Sequence, residues 1–252
     1  MWQSDDPVTD AIGLWEYCDR SAAATGVWPV LSGRFPYHPI TPQRLPYPVR
    51  VGDFDLEAEL EGLWHALRAR QAEGPHLGGY PDDFGDAAEF MAAEAEAWRH
   101  RWPPYEEWPG LAPAAPDSGV DAAQAHRFVL QQLVLPFPPA AEPMRPWGPR
   151  LALVRAERPA DIPAVMAWDA EAPHQLLSAM LRSWEDRFGA RVVAFEGAKL
   201  HVSVTKPPLT EAQASHVAFE HVLLGDDNNK GVHFADYARS LVGHRYWLFW
   251  WD

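Results

Sequence analysis

The sequence predicts an α+β protein, in which a ferredoxin-like βαββαβ domain follows an acidic and mostly helical N-terminal region. Three observations lead to this fold class. Strand-like and helix-like runs alternate beyond residue 150, six prolines interrupt residues 136–149, and helical apolar spacing dominates the earlier part. The predicted organisation is therefore a region at 1–135 with an edge strand at 27–31, a Pro-rich linker at 136–149, and a domain at 150–252.

Composition indicates the general class of protein. Hydrophobic residues make up 47% and charged residues 22% of the 252 residues, as expected for a packed globular chain. A single cysteine, Cys18, excludes an internal disulfide and favours a reducing compartment. The initial MWQSDDPVTD lacks the basic and apolar regions of a signal peptide, and no run of 18 apolar residues predicts a membrane span. We therefore expect a cytoplasmic protein.

The net charge of −14 is unevenly distributed along the chain. Residues 53–107 hold 14 Asp and Glu against 4 Arg, whereas residues 150–252 hold 13 Asp and Glu against 11 Lys and Arg. A strongly acidic surface repels nucleic acid and anionic membranes and attracts basic proteins. Plain solubility is the alternative explanation, because acidic surfaces are common in proteins that have no charged partner.

The first elements of the chain are a helix and a strand. Apolar residues at helical spacing predict a helix over residues 7–25, and Gly26 occupies the position that commonly ends a helix. The next run, 27–31, is apolar and extended. Because Pro29 has no N–H to donate to a neighbouring strand, this strand is expected at the edge of a sheet.

The rest of the acidic region predicts two further helices and one ambiguous segment. Five prolines make residues 33–50 a loop, after which helices are predicted over 54–73 and 86–102. Residues 121–135 leave two alternatives open. Their first half has helical spacing, whereas the second half fits a strand equally well.

The last hundred residues carry the alternating elements of the predicted domain. Strands are predicted at 151–154, 191–195, 200–205 and 246–251, and helices at 160–168, 174–188, 210–223 and 233–242. The last strand is apolar on both faces, and an exposed edge of this kind would promote aggregation. Strand 27–31 is therefore expected to add to the sheet and to cover that edge.

Several runs of residues resemble a known bacterial family. They are RPADIP at 158–163, LRSWEDRFGAR at 181–191, WLFWWD at 247–252 and, upstream, TGVWPVL at 25–31. In these runs the chain resembles the family catalogued as domain of unknown function 4253. The resemblance covers the C-terminal hundred residues and the upstream element, and it implies a shared domain without an assigned activity.

A group of polar residues in the C-terminal domain is a candidate ligand-binding site. Its members are Trp184, Glu185, Arg187, Glu220, His221 and Asp227. We expect them to line one end of the sheet, because the first three lie near the end of one predicted helix and the others lie near or just beyond the end of the next. Carboxylates, a guanidinium and an imidazole beside an aromatic ring suit a small polar ligand. The alternative is that these side chains are solvated or connect a helix to a strand.

Motifs for metals and cofactors are weak or missing in the sequence. His216 and Glu220 lie four residues apart on one predicted helix face with His221 adjacent, but two ligands do not define a metal site. The run that begins at Asp226 resembles a calcium loop, yet Lys230 stands where an oxygen ligand is needed. No G-x-S-x-G, P-loop or G-x-G-x-x-G motif occurs. We therefore expect no metal and no cofactor, and no catalytic residue is predicted.

Two hypotheses about function follow. The first is a non-catalytic protein-interaction protein, with a regulatory, accessory or toxin-neutralising role, that engages a basic protein through acidic residues such as Glu57, Glu59 and Glu61. The second is an enzyme or a small-ligand sensor that uses the polar group of the C-terminal domain. The concentrated charge favours the first hypothesis, and the polar group favours the second. Neither nucleic acid nor a membrane is an expected partner.

Overall fold

The computed structural model describes residues 1–32, 51, 54–75, 87–134, 149–168, 172–229 and 232–251. Its strands there are β1 (Trp2–Gln3), β2 (Val27–Ser32), β3 (Arg150–Arg155), β4 (Ala190–Glu196), β5 (Lys199–Val204) and β6 (Tyr246–Trp250). Its helices there are α1 (Ala11–Thr25), α2 (Leu56–Glu73), α3 (Ala87–Arg101), α4 (Ala122–Val134), α5 (Ile162–Val165), α6 (His174–Phe188), α7 (Glu211–Leu224) and α8 (Phe234–Ser240). The mixed α+β class is confirmed, whereas the predicted loop at 33–50 lies outside the described residues.

The chain divides into two compact units. Unit 1 comprises Met1–Phe54, Ala114–Pro207 and Gly243–Asp252, and unit 2 comprises Asp55–Pro113 and Pro208–Val242. Both units therefore contain residues from both sides of the predicted linker at 136–149, of which only Pro149 is described. Helices α7 and α8, which the sequence assigned to the same domain as the last strands, belong with α2 and α3 in unit 2.

Unit 1 is built on a six-stranded mixed sheet with the order β1-β3-β2-β4-β5-β6. Strand β2 runs antiparallel to β3 and parallel to β4, and β4, β5 and β6 form an antiparallel meander. The ferredoxin-like arrangement predicted for 150–252 is not the arrangement of this sheet. A strand from outside that range separates β3 from β4, and the second helical pair of the predicted pattern belongs to unit 2.

Strand β2 lies inside the sheet, so the predicted edge position for residues 27–31 is wrong. Pro29 faces Leu153 across the ladder with β3, whereas the ladder with β4 begins only at Leu31. The missing N–H of Pro29 therefore leaves the short parallel ladder intact. Strand β2 adds to the C-terminal strands as expected, but β4 and β5 separate it from β6, so it does not cover the last strand.

One face of the sheet packs against α6 through aromatic side chains. Trp184 of α6 is fully buried, stacks on Phe249 at a ring distance of 5.1 Å and meets Trp247 edge-on at 5.6 Å. Such aromatic pairs add to the free energy gained by burying the rings. Alternation along β6 turns Leu248 and Trp250 to the other face, where they are 41% and 38% exposed. One apolar face of β6 is therefore part of the buried core, whereas the other apolar face remains partly exposed.

The opposite face packs against α1 and α4. Trp15 of α1 and Leu130 of α4 join a buried cluster with Leu31 and Ala194 of the sheet. The described helix α4 decides the alternative left open for residues 121–135, because burial of one helical face outweighs the strand-like composition of its second half.

Capping residues explain the bounds of α1. The helix begins at Ala11, later than predicted, because Asp10 is its N-cap and its carboxylate accepts a hydrogen bond from the Gly13 N–H at 3.0 Å. Gly26 ends the helix in the left-handed conformation, with φ of 65°, as the sequence predicted. The chain enters β2 directly after this glycine, so the helix end also fixes the start of the strand.

A buried polar contact lies below α4. His126 is buried, its Nδ1 lies 2.6 Å from the Ser203 hydroxyl of β5, and its ring meets Trp15 edge-on at 5.4 Å. Burial, together with the nearby Arg191 guanidinium, lowers the pKa of His126 from its ordinary value of 6.5 to about 3. The imidazole is therefore neutral in the folded protein at neutral pH.

Replacing His126 with Asn, whose amide can still bond Ser203, should reduce the pH dependence of stability. Because the pKa of His126 is about 3 when folded and 6.5 when unfolded, its contribution to stability is complete above pH 6.5 and is lost as the pH falls towards 3. Between pH 6 and pH 4, the wild-type free energy of unfolding should fall by about 1 kcal/mol per pH unit more than that of the variant. Guanidinium denaturation at both pH values measures this difference, and equal slopes would contradict it.

Candidate functional site

The predicted site residues of α6 have structural contacts in unit 1. Trp184 belongs to the aromatic core, and Glu185 accepts a hydrogen bond from Arg158 Nε at 3.2 Å. Burial raises the pKa of Glu185 above its ordinary value, and Arg158 opposes that effect. Arg187 donates from Nε to the Ser183 hydroxyl at 3.0 Å, and its guanidinium lies 5.0 Å from the centre of the Phe188 ring.

Two of the runs that resemble the family contact each other through reciprocal ion pairs. Arg158 bonds Asp186 at 2.5 Å as well as Glu185, while Arg182 of α6 bonds both carboxylate oxygens of Asp161 at 2.8 and 2.7 Å. Two parallel bonds from one guanidinium to one carboxylate are strong and directional. The side chain of Arg182 is 20% exposed and that of Asp161 is 11% exposed, so solvent screens this pair only in part. The polar residues of these runs thus hold α6 against the turn at Pro159–Asp161.

Glu220, a predicted site residue of α7, and His216 on the same helix bind the main chain of the segment before residue 114 in unit 2. The buried Glu220 carboxylate accepts a hydrogen bond from the Ala112 N–H at 2.7 Å. One turn earlier, the Nε2 of His216 lies 2.8 Å from the Gly110 carbonyl and donates to it. His216 and Glu220 therefore each form a hydrogen bond with a main-chain group. Among the described residues, no group of three His, Cys, Asp or Glu is arranged to hold a metal ion.

His221 connects α7 to α8. It is fully buried, and its Nδ1 lies 2.8 Å from the Tyr237 hydroxyl. Burial raises the pKa of Tyr237 well above its ordinary value of 10, so the phenol stays protonated. Asp227 lies in the short helical turn Asp226–Asn229. The predicted group is thus divided, with its α6 members in unit 1 and its other members in unit 2.

The glutamates predicted to bind a partner are exposed on α2. Glu57, Glu59 and Glu61 all face solvent, while Leu60 and Trp64 form the buried side of the helix. Asp55 caps the helix by accepting a hydrogen bond from the Ala58 N–H at 3.1 Å. Among the described residues, none of the three glutamates has an ion-pair partner.

The structure also forms a small pocket that the sequence did not predict. It lies in unit 1 at the turn between β4 and β5, has a volume of about 180 Å³, and is lined by Glu196, Gly197, Ala198, Lys199 and Trp250. Glu196 pairs with Lys199 across the first ladder, and Lys199 pairs with Trp250 across the second. These three side chains therefore lie side by side in one row across the sheet. We call this the hairpin pocket.

A buried histidine, His201, lies next to the Glu196 carboxylate of the hairpin pocket. The Nε2 of His201 lies 3.7 Å from Glu196 Oε2, and its Nδ1 lies 2.7 Å from the Tyr246 hydroxyl. Because burial raises the pKa of Tyr246 to about 12, the phenol keeps its proton and can donate to Nδ1. The His201 ring and, less strongly, the Lys199 ammonium hold the pKa of Glu196 below its ordinary range against the effect of burial. Glu196 is therefore ionised at neutral pH.

The residues of the hairpin pocket were predicted only as strand and turn residues. Lys199, His201 and Ser203 alternate with apolar residues along β5, which signals one polar face of a strand. The row of three side chains depends on the register of three strands, however, and Trp250 comes from a distant part of the chain. The turn itself is signalled by the sequence, because glycine favours turns. In the structure Gly197 has a φ of 57°, which glycine adopts without strain.

Comparison with known families confirms the resemblance of the C-terminal part. Residues 150–252 match the family described as "Domain of unknown function (DUF4253)". The match begins at the first residue of β3, so the upstream run 25–31 lies outside it. No curated protein and no solved structure matches the chain significantly. Separately, no described helix is both long enough and apolar enough to cross a membrane.

Replacing Arg182 with Lys should destabilise the protein. An ammonium cannot make the two parallel bonds to Asp161, so we expect the free energy of unfolding to fall by about 1–3 kcal/mol. Chemical denaturation measures the change, with Arg155→Lys on the exposed side of β3 as the matched control. A stability equal to that of the control would show that the paired geometry contributes nothing.

Two substitutions at Glu220 separate its hydrogen bond from its charge. Gln keeps an oxygen that can accept from the Ala112 N–H, whereas Ala removes it and leaves a buried donor to be desolvated. We expect Glu220→Ala to unfold at a free energy about 1–3 kcal/mol lower than Glu220→Gln. Thermal and chemical denaturation of both variants provide the test, and equal stabilities would exclude the structural role assigned to this contact.

Proposed function

We propose that this protein binds a basic protein through the acidic surface of unit 2, in a non-catalytic regulatory, accessory or toxin-neutralising role. The distribution of charge supports this proposal. Unit 2 holds 18 Asp and Glu against 6 Lys and Arg, whereas unit 1 holds 17 against 15. A surface of one sign attracts a partner of the opposite sign and accelerates their encounter.

The exposed glutamates of α2 are the observation that carries the proposal. Glu57 and Glu61 lie one helical turn apart on the same side of α2, where like charges cost roughly 0.2–0.5 kcal/mol. The helix dipole offsets this cost for Glu57 in the first turn, but it does not reach Glu61. Helix stability therefore does not explain Glu61, and this supports a role for Glu61 in attracting a basic partner.

Helix α3 differs from α2 because one of its glutamates, Glu96, forms ion pairs within the helix. Glu96 pairs with Arg99 and with His100 on its own helix, and Arg99 lowers the pKa of Glu96 most strongly. Its charge is therefore partly neutralised. The acidic surface of unit 2 is not uniform, and the first half of α2 is its most suitable part for a partner.

The alternative function is an enzyme or small-ligand sensor at the predicted polar group. Glu185, Glu220 and His221 have contacts inside their own units, and no observation on these side chains favours a ligand. The interaction role is therefore the better-supported proposal. We also propose a bacterial and cytoplasmic setting, and the single free Cys18 supports the reducing compartment.

Charge reversal on α2 tests the proposal. The double variant Glu57→Lys/Glu61→Lys should lose the basic partner that the unmodified protein captures from its own cells, because the contact changes from attraction to repulsion. Stability should change by less than about 1 kcal/mol, since both side chains are exposed. Captured proteins are quantified by mass spectrometry, and raising the salt concentration should weaken capture in the same way.

Two further variants localise the effect. Asp5→Lys/Asp6→Lys makes the same change in net charge on exposed residues of unit 1 and should retain the partner. Glu59→Lys alters the opposite side of α2 and shows whether the contact extends around the helix. Equal losses in the two double variants would indicate a nonspecific charge effect, and capture that resists both reversal and salt would refute an electrostatic interface.

A further inference from the structure

The hairpin pocket brings together three chemically different groups. The side chain of Glu196 is 25% exposed and that of Trp250 is 38% exposed, with Lys199 between them in the same row. Within the described part of the chain, Lys199 has no direct ion pair. The pocket therefore offers a carboxylate, an ammonium and an indole ring to one small molecule.

The charges and the size of the pocket restrict the ligand. A simple cation attracted to Glu196 is repelled by Lys199, and a simple anion attracted to Lys199 is repelled by Glu196. A molecule with both charges satisfies both residues. The volume of about 180 Å³ is below the roughly 300–1,000 Å³ of pockets for drug-sized ligands, which favours a ligand smaller than a nucleotide.

We propose that the hairpin pocket binds a free α-amino acid with an aliphatic side chain. The α-ammonium pairs with Glu196, the α-carboxylate pairs with Lys199, and the hydrocarbon side chain lies against the indole of Trp250. This site belongs to unit 1 and is independent of the acidic surface of unit 2, so either proposal can fail without the other.

The register of the sheet supports this arrangement. Directly opposed residues have Cβ atoms roughly 4.5–5.5 Å apart, which places a carboxylate and an ammonium close enough to contact the two charged groups of one α-carbon. His201 is a positioning residue, because it faces the Glu196 carboxylate from the buried side while the ligand approaches from the open side. Gly197 leaves the turn without a side chain next to Glu196.

Calorimetric titration of the full chain with L-leucine tests the proposal. Two analogues separate its parts, since 4-methylpentanoate lacks the ammonium and 3-methylbutylamine lacks the carboxylate. We expect leucine to bind and each analogue to bind at least tenfold more weakly. Failure of leucine to bind, or equal binding of either analogue, would overturn the assignment.

Substitutions in the pocket assign each charge. Glu196→Gln should reduce leucine affinity at least tenfold and should strengthen the weak binding of 4-methylpentanoate, because it removes a repelling carboxylate. Lys199→Gln should reduce leucine affinity equally and should strengthen the weak binding of 3-methylbutylamine, because it removes a repelling ammonium. The matched controls Asp5→Asn and Lys206→Gln change the same charges elsewhere in unit 1 and should bind leucine normally. Thermal unfolding verifies that each variant is folded. Leucine binding that survives both pocket substitutions would place the ligand elsewhere and refute the proposal.

Discussion

The pairing of β2 with β3 on one side and β4 on the other is the contact on which unit 1 depends. It joins residues near the N-terminus to two strands from the C-terminal part, over a ladder from Val27 opposite Arg155 to Ser32 opposite Arg150. Without β2, the sheet would consist of β1 with β3 and a separate meander of β4, β5 and β6. Helix α1 precedes β2 directly, so the same strand also places one helix that covers the sheet.

The sequence predicted local elements well and their arrangement poorly. Helical spacing and end signals such as Gly26 and Gly189 act over a few residues, and both glycines end their helices in the left-handed conformation. The position of β2 and the assignment of α7 to unit 2 depend on pairings between distant segments, which periodicity does not encode. Pro29 favours an edge position, but the ladder with β4 begins only at Leu31 and does not use the missing N–H.

The contacts of the candidate site residues also depend on distant segments, which local sequence patterns do not predict. Polar residues near helix ends suggested a ligand site, yet Glu185, Glu220 and His221 bond a guanidinium, a main-chain N–H and a phenol of their own unit. Buried peptide groups need partners, and helical side chains are the nearest source of them. The hairpin pocket arises from the register of three strands instead. Exposure and charge on α2 were predictable because they require no knowledge of distant contacts.

The place of β2 has a consequence for the family domain as an evolutionary module. Neighbouring strands are about 4.8 Å apart, so β3 and β4 lie roughly 10 Å from each other with β2 between them. A domain that began at residue 150 would lack β2 and would have a gap one strand wide between β3 and β4. A chain with these C-terminal strands would therefore need an upstream strand, a strand from another chain, or a different order of strands to close its sheet.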